Sequence, residues 1–221
     1  LNPVSFYSRN KLEIENILKK LSSKSWRPII LRISTLFGVS EKMRFDLALN
    51  MFLGSAVVKN KIILNSDGQA WRPHVHLSDV IQAFICSINY NNKKLEIINV
   101  GSSKNNYKMI DTVKIIKKFK KNIKIEFLKP NQNKNIFHDK LVKYGKDKRN
   151  YKVSFKKLEK IFGKKMSIKP ITKSLEEDYI FLKKFKLKSS HFQNIKFYRL
   201  HWLEKLLRDK KVSKENLRVF N

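Results

Sequence analysis

The chain has 221 residues, 42% of them hydrophobic and 11% aromatic, enough to bury a core of one large domain or one and a half and too much for wholesale disorder. No stretch reaches the apolar length of a membrane span and no signal peptide is visible, so a cytoplasmic protein without a membrane partner is expected. The formal charge of +31 raises the question of nucleic acid. However, the lysines are spread from Lys11 to Lys214 and arginine, the better phosphate fork, is scarce, so no specific nucleic-acid partner is expected. Cys86 is the one cysteine, which excludes an internal disulfide framework and a cysteine-based zinc site and fits a reducing compartment. No metal site is expected. Leu1 stands where a start would have Met, and the N-terminus reads as truncated or processed.

In chain order, Ile14, Ile17, Leu18 and Leu21 recur at helical spacing and predict a helix over 4–22. Pro28 to Ile33 is a short apolar run and predicts a buried strand. Residues 35–40 read as a loop around Gly38, 45–58 as a helix, and 61–64 as a strand closed by the turn Asn65-Ser-Asp-Gly68. A helix is expected over 79–89 with Ser78 as its N-cap. A strand follows at 96–100, then a helix at 107–119 and a strand at 123–127. Residues 129–150 are polar and weakly periodic, a long surface loop. Helices are expected at 154–162 and at 173–186, the latter capped by Thr172. An amphipathic tail runs over 195–210. Strand and helix alternate early and helices dominate late, so the class is α/β.

Several motifs carry chemistry. In Tyr7-Ser-Arg-Asn-Lys11 a phenol and an ammonium lie four residues apart and share a helix face. A cation beside a phenol favours proton exchange near neutral pH, the property of a general acid/base. Leu31-Arg-Ile-Ser-Thr-Leu-Phe-Gly38 and Met43-Arg-Phe-Asp-Leu-Ala-Leu-Asn50 follow. Then come the stretch from Asn65 to Asp79 with Trp71-Arg-Pro-His-Val-His76, Asn99-Val-Gly101, and Asp147-Lys-Arg-Asn-Tyr151.

In this order and spacing the series resembles the NAD-dependent epimerase/dehydratase family of extended short-chain dehydrogenases/reductases, from Tyr7 to at least Phe185. The resemblance implies the C-terminal part of a Rossmann-type enzyme with a small α/β substrate-binding subdomain. Residues 1–40 would end the NAD-binding domain. Residues 41–188 would be mainly substrate-binding, with returning Rossmann elements near 61–101, and 189–221 a helical tail. It further implies NAD (or NADP) as cofactor and a nucleoside-diphosphate sugar as substrate. Tyr7 would be the general acid/base, and Lys11 would hold the nicotinamide ribose and assist Tyr7. Thr35 stands where many relatives have an Asn beside the sugar or diphosphate. Asp46 and Asn50, one turn apart on a helix, would face the nucleotide sugar. Arg72 and Arg149 match arginines aimed at the substrate diphosphate, a paired anion that a guanidinium fork meets bidentately. The Tyr7 helix would pair with its copy in a homodimer.

Blander roles are expected for other polar residues. His76 reads as a structural histidine between strand and helix, His74 as weaker still, and Asp79 as a helix-start carboxylate. No Gly-x-x-Gly-x-x-Gly fingerprint occurs among the 221 residues, so the chain by itself is expected to hold little of the NAD site and to be inactive. Epimerase, dehydratase and keto-sugar reductase all remain open on these residues. A reading of another class is a non-catalytic, basic nucleic-acid-binding protein.

Overall fold

The computed structural model describes Pro3, residues 5–128 and residues 149–213. The loop expected at 129–150 therefore falls almost wholly outside the described residues. Two compact units are built by a chain that passes back and forth between them. The first draws on residues 1–36, 69–109 and 147–171, the second on 37–68, 110–146 and 172–221.

The first unit opens with α1 (Phe6–Leu21). Ser5 caps it: its hydroxyl accepts from the Ser8 amide while the Ser8 hydroxyl accepts from the Ser5 amide. The apolar repeat that announces this helix is not its buried face. Ile14, Ile17 and Leu21 are half-exposed, and the buried residue is Glu15. Its carboxylate takes a two-pronged bond from Arg32 on β1 (Ile29–Ile33), Nε to Oε1 at 2.8 Å and Nη2 to Oε2 at 2.6 Å. A carboxylate can go inside here because the guanidinium fork satisfies both oxygens. The bond to Arg32 holds the Glu15 carboxyl below its usual pKa, against the opposing effect of burial.

Strand β1 pairs in parallel with β5 (Glu96–Val100), Ile29 opposite Glu96 and Ile33 opposite Val100. Among the described residues β1 has no other strand beside it. A second, three-stranded sheet orders β2 (Thr35–Phe37), β4 (Trp71–His76) and β6 (Asn106–Lys108), with β4 and β6 antiparallel. The expected loop at 35–40 is thus partly a strand, and Thr35 begins it.

Against these strands pack α3 (Leu77–Ile88) and α5 (Lys156–Phe162). Val75, Val80, Ala83, Cys86, Ile98, Val100, Leu158 and Phe162 form one buried cluster, so Cys86 is a small core residue. Lys157 on α5 reaches Glu96 at 2.6 Å and tethers that helix to β5. The N-cap of α3 is His76 rather than Ser78. The His76 ring Nδ1 accepts from the Ser78 amide at 3.3 Å and shares a 2.8 Å hydrogen bond with the Ser78 hydroxyl. The opposite face of α3 carries Ile81, Phe84, Ile85 and Ile88 at i, i+3, i+4 and i+7, all exposed. A hollow of about 370 Å³ beside it is lined by Arg27, Ile29, Leu31, Phe84, Ser87 and Ile88.

In the second unit, β3 (Lys61–Leu64) pairs in parallel with β7 (Lys124–Phe127). The turn after β3 closes on Gly68, whose φ of +71° suits glycine. Helices α2 (Ala48–Lys59), α4 (Met109–Phe119) and α6 (Ile171–Lys184) follow in chain order. Of these, α4 and α6 each begin on the last residue of the first unit. Thr172, expected to cap α6, lies inside it. The tail carries α7 (Ser189–Phe192) and α8 (Arg199–Arg208), the latter within the amphipathic stretch 195–210.

Phe45 centres the aromatic packing of this unit, edge-on to Phe192 at 4.8 Å and to Phe197 at 5.9 Å. Gly54 on α2 faces the same rings, and a Cβ there would collide with Phe192. Gly54→Ala is therefore expected to destabilise the fold by about 1–2 kcal/mol through overpacking, read as a lower urea midpoint at unchanged slope.

Candidate active site

Five of the seven candidate residues belong to the first unit and two to the second. Tyr7 lies in the first turn of α1, 71% exposed, and Lys11 follows one turn later. The Lys11 ammonium sits 5.5 Å from the centroid of the Tyr7 ring. The helical spacing therefore brings phenol and cation together on an open face. Thr35 is half-buried at the start of β2.

Arg72 behaves differently from a surface arginine. It is 5% exposed, its Nη1 donates to the Trp71 carbonyl at 2.7 Å, and its guanidinium stacks 5.3 Å from the Tyr151 ring. Cation–π contact and a carbonyl bond hold the fork in a fixed orientation. Arg149 lies two residues before Tyr151 and is exposed. Trp71 takes ammonium groups, with Lys152 Nζ 3.8 Å and Lys108 Nζ 5.8 Å from its ring. Residues on β4 and on 151–152 thus contribute alternating aromatic and cationic partners.

His74 is fully buried two residues beyond Arg72, and neither ring nitrogen has a hydrogen-bond partner among the described residues. Burial, aided by the Arg72 charge, pushes its pKa down to about 3. It is a neutral imidazole at physiological pH and no proton shuttle. Asp79 is buried in the first turn of α3 and accepts from the Lys169 amide at 3.3 Å. Burial raises its pKa, opposed by that bond. It ties α3 to the segment after α5, as a structural carboxylate would.

In the second unit, Asp46 precedes α2 instead of riding on it, because the helix starts two residues later. Its two oxygens receive the Arg44 guanidinium at 3.0 and 2.7 Å. Asn50 is buried in the first turn of α2. Its Oδ1 accepts from the Gly38 amide at 3.0 Å and its Nδ2 donates to the Arg44 carbonyl at 3.1 Å. The side chain thereby holds together the two loops that flank it. A polar residue amid Leu49, Met51 and Phe52 needs partners, and it finds them in backbone.

Residues 1–101 match the model of the NAD dependent epimerase/dehydratase family. The match spans a little under half of the chain. The family is one of enzymes, and it depends on NAD. Solved structures share the fold. The UDP-glucuronic acid 4-epimerase from Bacillus cereus, solved with UDP-glucuronic acid and NAD, matches with a TM-score of 0.65 at 18% identity, over 83% of this chain and 54% of that one. The dTDP-glucose 4,6-dehydratase from Bacillus anthracis, solved with NAD, matches at 0.62 and 20% identity, over 91% of this chain and 56% of that one. The UDP-N-acetylglucosamine 4-epimerase from Methanobrevibacter ruminantium M1 matches at 0.66 and 18% identity, over 84% and 56%. The chain spans about half the length of these structures. The α/β class expected from the sequence, with parallel strand pairs, agrees with this Rossmann-type fold.

Tyr151 and Glu15 make contacts for which their local sequence carries no signal. Tyr151 ends the stretch Asp147-Lys-Arg-Asn-Tyr151, yet its place as the ring under Arg72 needs the chain path. Glu15 reads as a solvated helix residue until Arg32 is brought to it.

Proposed function

We propose that this chain provides the acid/base pair and the substrate cradle of an NAD-dependent nucleotide-sugar epimerase or dehydratase, working through a transient keto-sugar. The observation that carries this reading is the Lys11 ammonium over the exposed Tyr7 ring on a chain whose first 101 residues match the family model. NAD, when bound, supplies the oxidation and re-reduction of a sugar carbon. The residues present suit one end of it: Lys11 offers three donors to a ribose beside Tyr7. No glycine-rich loop in this chain suits its pyrophosphate.

Tyr7 takes the proton from the sugar hydroxyl as that carbon becomes a ketone and returns it when the ketone is reduced. Arg72, pre-oriented by Tyr151, and Arg149 grip the diphosphate, so that remote binding energy orients the sugar. Asp46 and Asn50 are carried as nucleotide-sugar residues by the family resemblance. In this reading Asn50 acts by fixing the Gly38 and Arg44 backbone. A dinucleotide-binding α/β segment would cover the open β1 edge and the apolar face of α3, and the chain alone would not turn over. A homodimer through the Tyr7 helix fits the half-exposed Ile14, Ile17 and Leu21.

Titration with UDP and with uridine tests the cradle. The chain should bind UDP more tightly than uridine. Arg72→Ala should weaken UDP binding by about 10- to 100-fold, as loss of a charged hydrogen bond to phosphate would. Equal affinity for UDP and uridine would remove the diphosphate assignment.

A further inference from the structure

The segment that follows Arg149 has no ladder of its own, yet it is fastened at every residue. The Trp71 amide donates to Asn150 Oδ1 at 3.0 Å and the Tyr151 amide to the Trp71 carbonyl at 3.4 Å. Asn106, at the head of β6, acts as a surrogate strand. Its Oδ1 accepts from the Val153 amide and its Nδ2 donates to the Val153 carbonyl, both at 3.0 Å, and Nδ2 also reaches the Ser103 carbonyl at 3.0 Å. Asn99 Nδ2 closes the far end on the Ser154 carbonyl at 3.2 Å. Tyr151 meets Arg72 while Lys152 meets Trp71. Successive residues thus face opposite ways, the period of an extended chain.

We propose that Asn106 and Asn150 are positioning residues for diphosphate recognition. They hold residues 150–153 in register with β4 and β6, so that Arg149, two residues before Tyr151, falls on the Arg72 side. A slip of one residue would turn Arg149 to the Trp71–Lys152 side. This rests on the reading above that Arg72 and Arg149 take a diphosphate. The two asparagines touch no substrate themselves. Their effect passes through Arg149 and, by way of the Tyr151 ring, through Arg72.

A mutant cycle tests the proposal, with UDP and uridine as probes. Asn106→Ala and Asn150→Ala should each weaken UDP binding by about five- to tenfold, the loss of one or two backbone-directed hydrogen bonds, and leave uridine binding unchanged. In a background that lacks both guanidinium groups (Arg72→Ala with Arg149→Ala) neither should lower UDP affinity further. An undiminished loss in that background, or a matching loss for uridine, means that the asparagines only support the fold, and overturns the proposal. If Asn106→Ala abolishes cooperative melting, the exposed Asn150 carries the test. Should the unmutated protein bind UDP no better than uridine, the diphosphate reading fails first and takes the proposal with it, an outcome distinct from an additive cycle.

Discussion

Tyr7→Phe is expected to lower the turnover of an enzyme containing this chain and a dinucleotide-binding segment by about 10²- to 10⁴-fold, with nucleotide-sugar affinity largely unchanged. The substitution removes one hydroxyl and keeps the ring. Tyr7 is 71% exposed in the first turn of α1, and the helix cap uses Ser5 and Ser8, so stability has no reason to move. What disappears, on the function proposed above, is the group that would exchange a proton with the sugar hydroxyl. Steady-state turnover and calorimetric binding in one preparation separate these effects. Retained turnover in the variant would remove Tyr7 from the mechanism. Lost affinity together with lost turnover would make it a binding residue instead.

Arg32→Ala should destabilise the fold by about 2–3 kcal/mol at neutral pH, since it leaves the Glu15 carboxylate buried without its fork. The sign of the pH dependence follows from the Arg32 bond, which lowers the Glu15 pKa from its ordinary 4.5. A carboxyl depressed by folding stabilises the native state above its unfolded pKa. That contribution fades as pH falls below about 4.5 and through the folded value. Urea unfolding across a pH series should therefore show a steeper acid loss in the unmutated protein than in Arg32→Ala. The buried His74, ordinarily near 6.5 and here about 3, makes both proteins lose stability as pH falls between those values. If the two curves ran parallel through the whole acid range, the ion pair would have no net worth.

The exposed faces of α1 and α3 show why hydrophobic periodicity announces a helix but does not say where its apolar side goes. Ile14, Ile17 and Leu21, and likewise Ile81, Phe84, Ile85 and Ile88, recur at helical spacing. Yet the residues inside are Glu15 on one helix and Val80, Ala83 and Cys86 on the other. A second apolar face was legible as pattern; which face meets the rest of the fold depends on what β1 and β5 present.

By itself the sequence determined the elements whose signals are short-range. Strands β3 and β5 fall where apolar, β-branched runs end at turn residues. Helix α1 places Tyr7 and Lys11 on one face because four residues make about one turn. Short strands were not legible. Thr35–Phe37 abuts Gly38 and reads as loop, while Trp71–His76 contains Pro73, which argues against a strand within a sheet. Asn106–Lys108 is three residues held by its partner. Caps were misjudged where a competitor stood nearby, as when the His76 ring nitrogen capped α3 by accepting the Ser78 amide.

Only the tertiary structure decided which distant groups complete one another. Glu15 and Arg32 are 17 positions apart, Asn106 and Val153 are 47, and Trp71 and Asn150 are 79. It also decided that the chain weaves two units from three stretches each. The reason is physical. Capping, turn chemistry and periodicity are written within a few residues. A buried charge or a surrogate strand can form only after folding has brought its partner within hydrogen-bond reach.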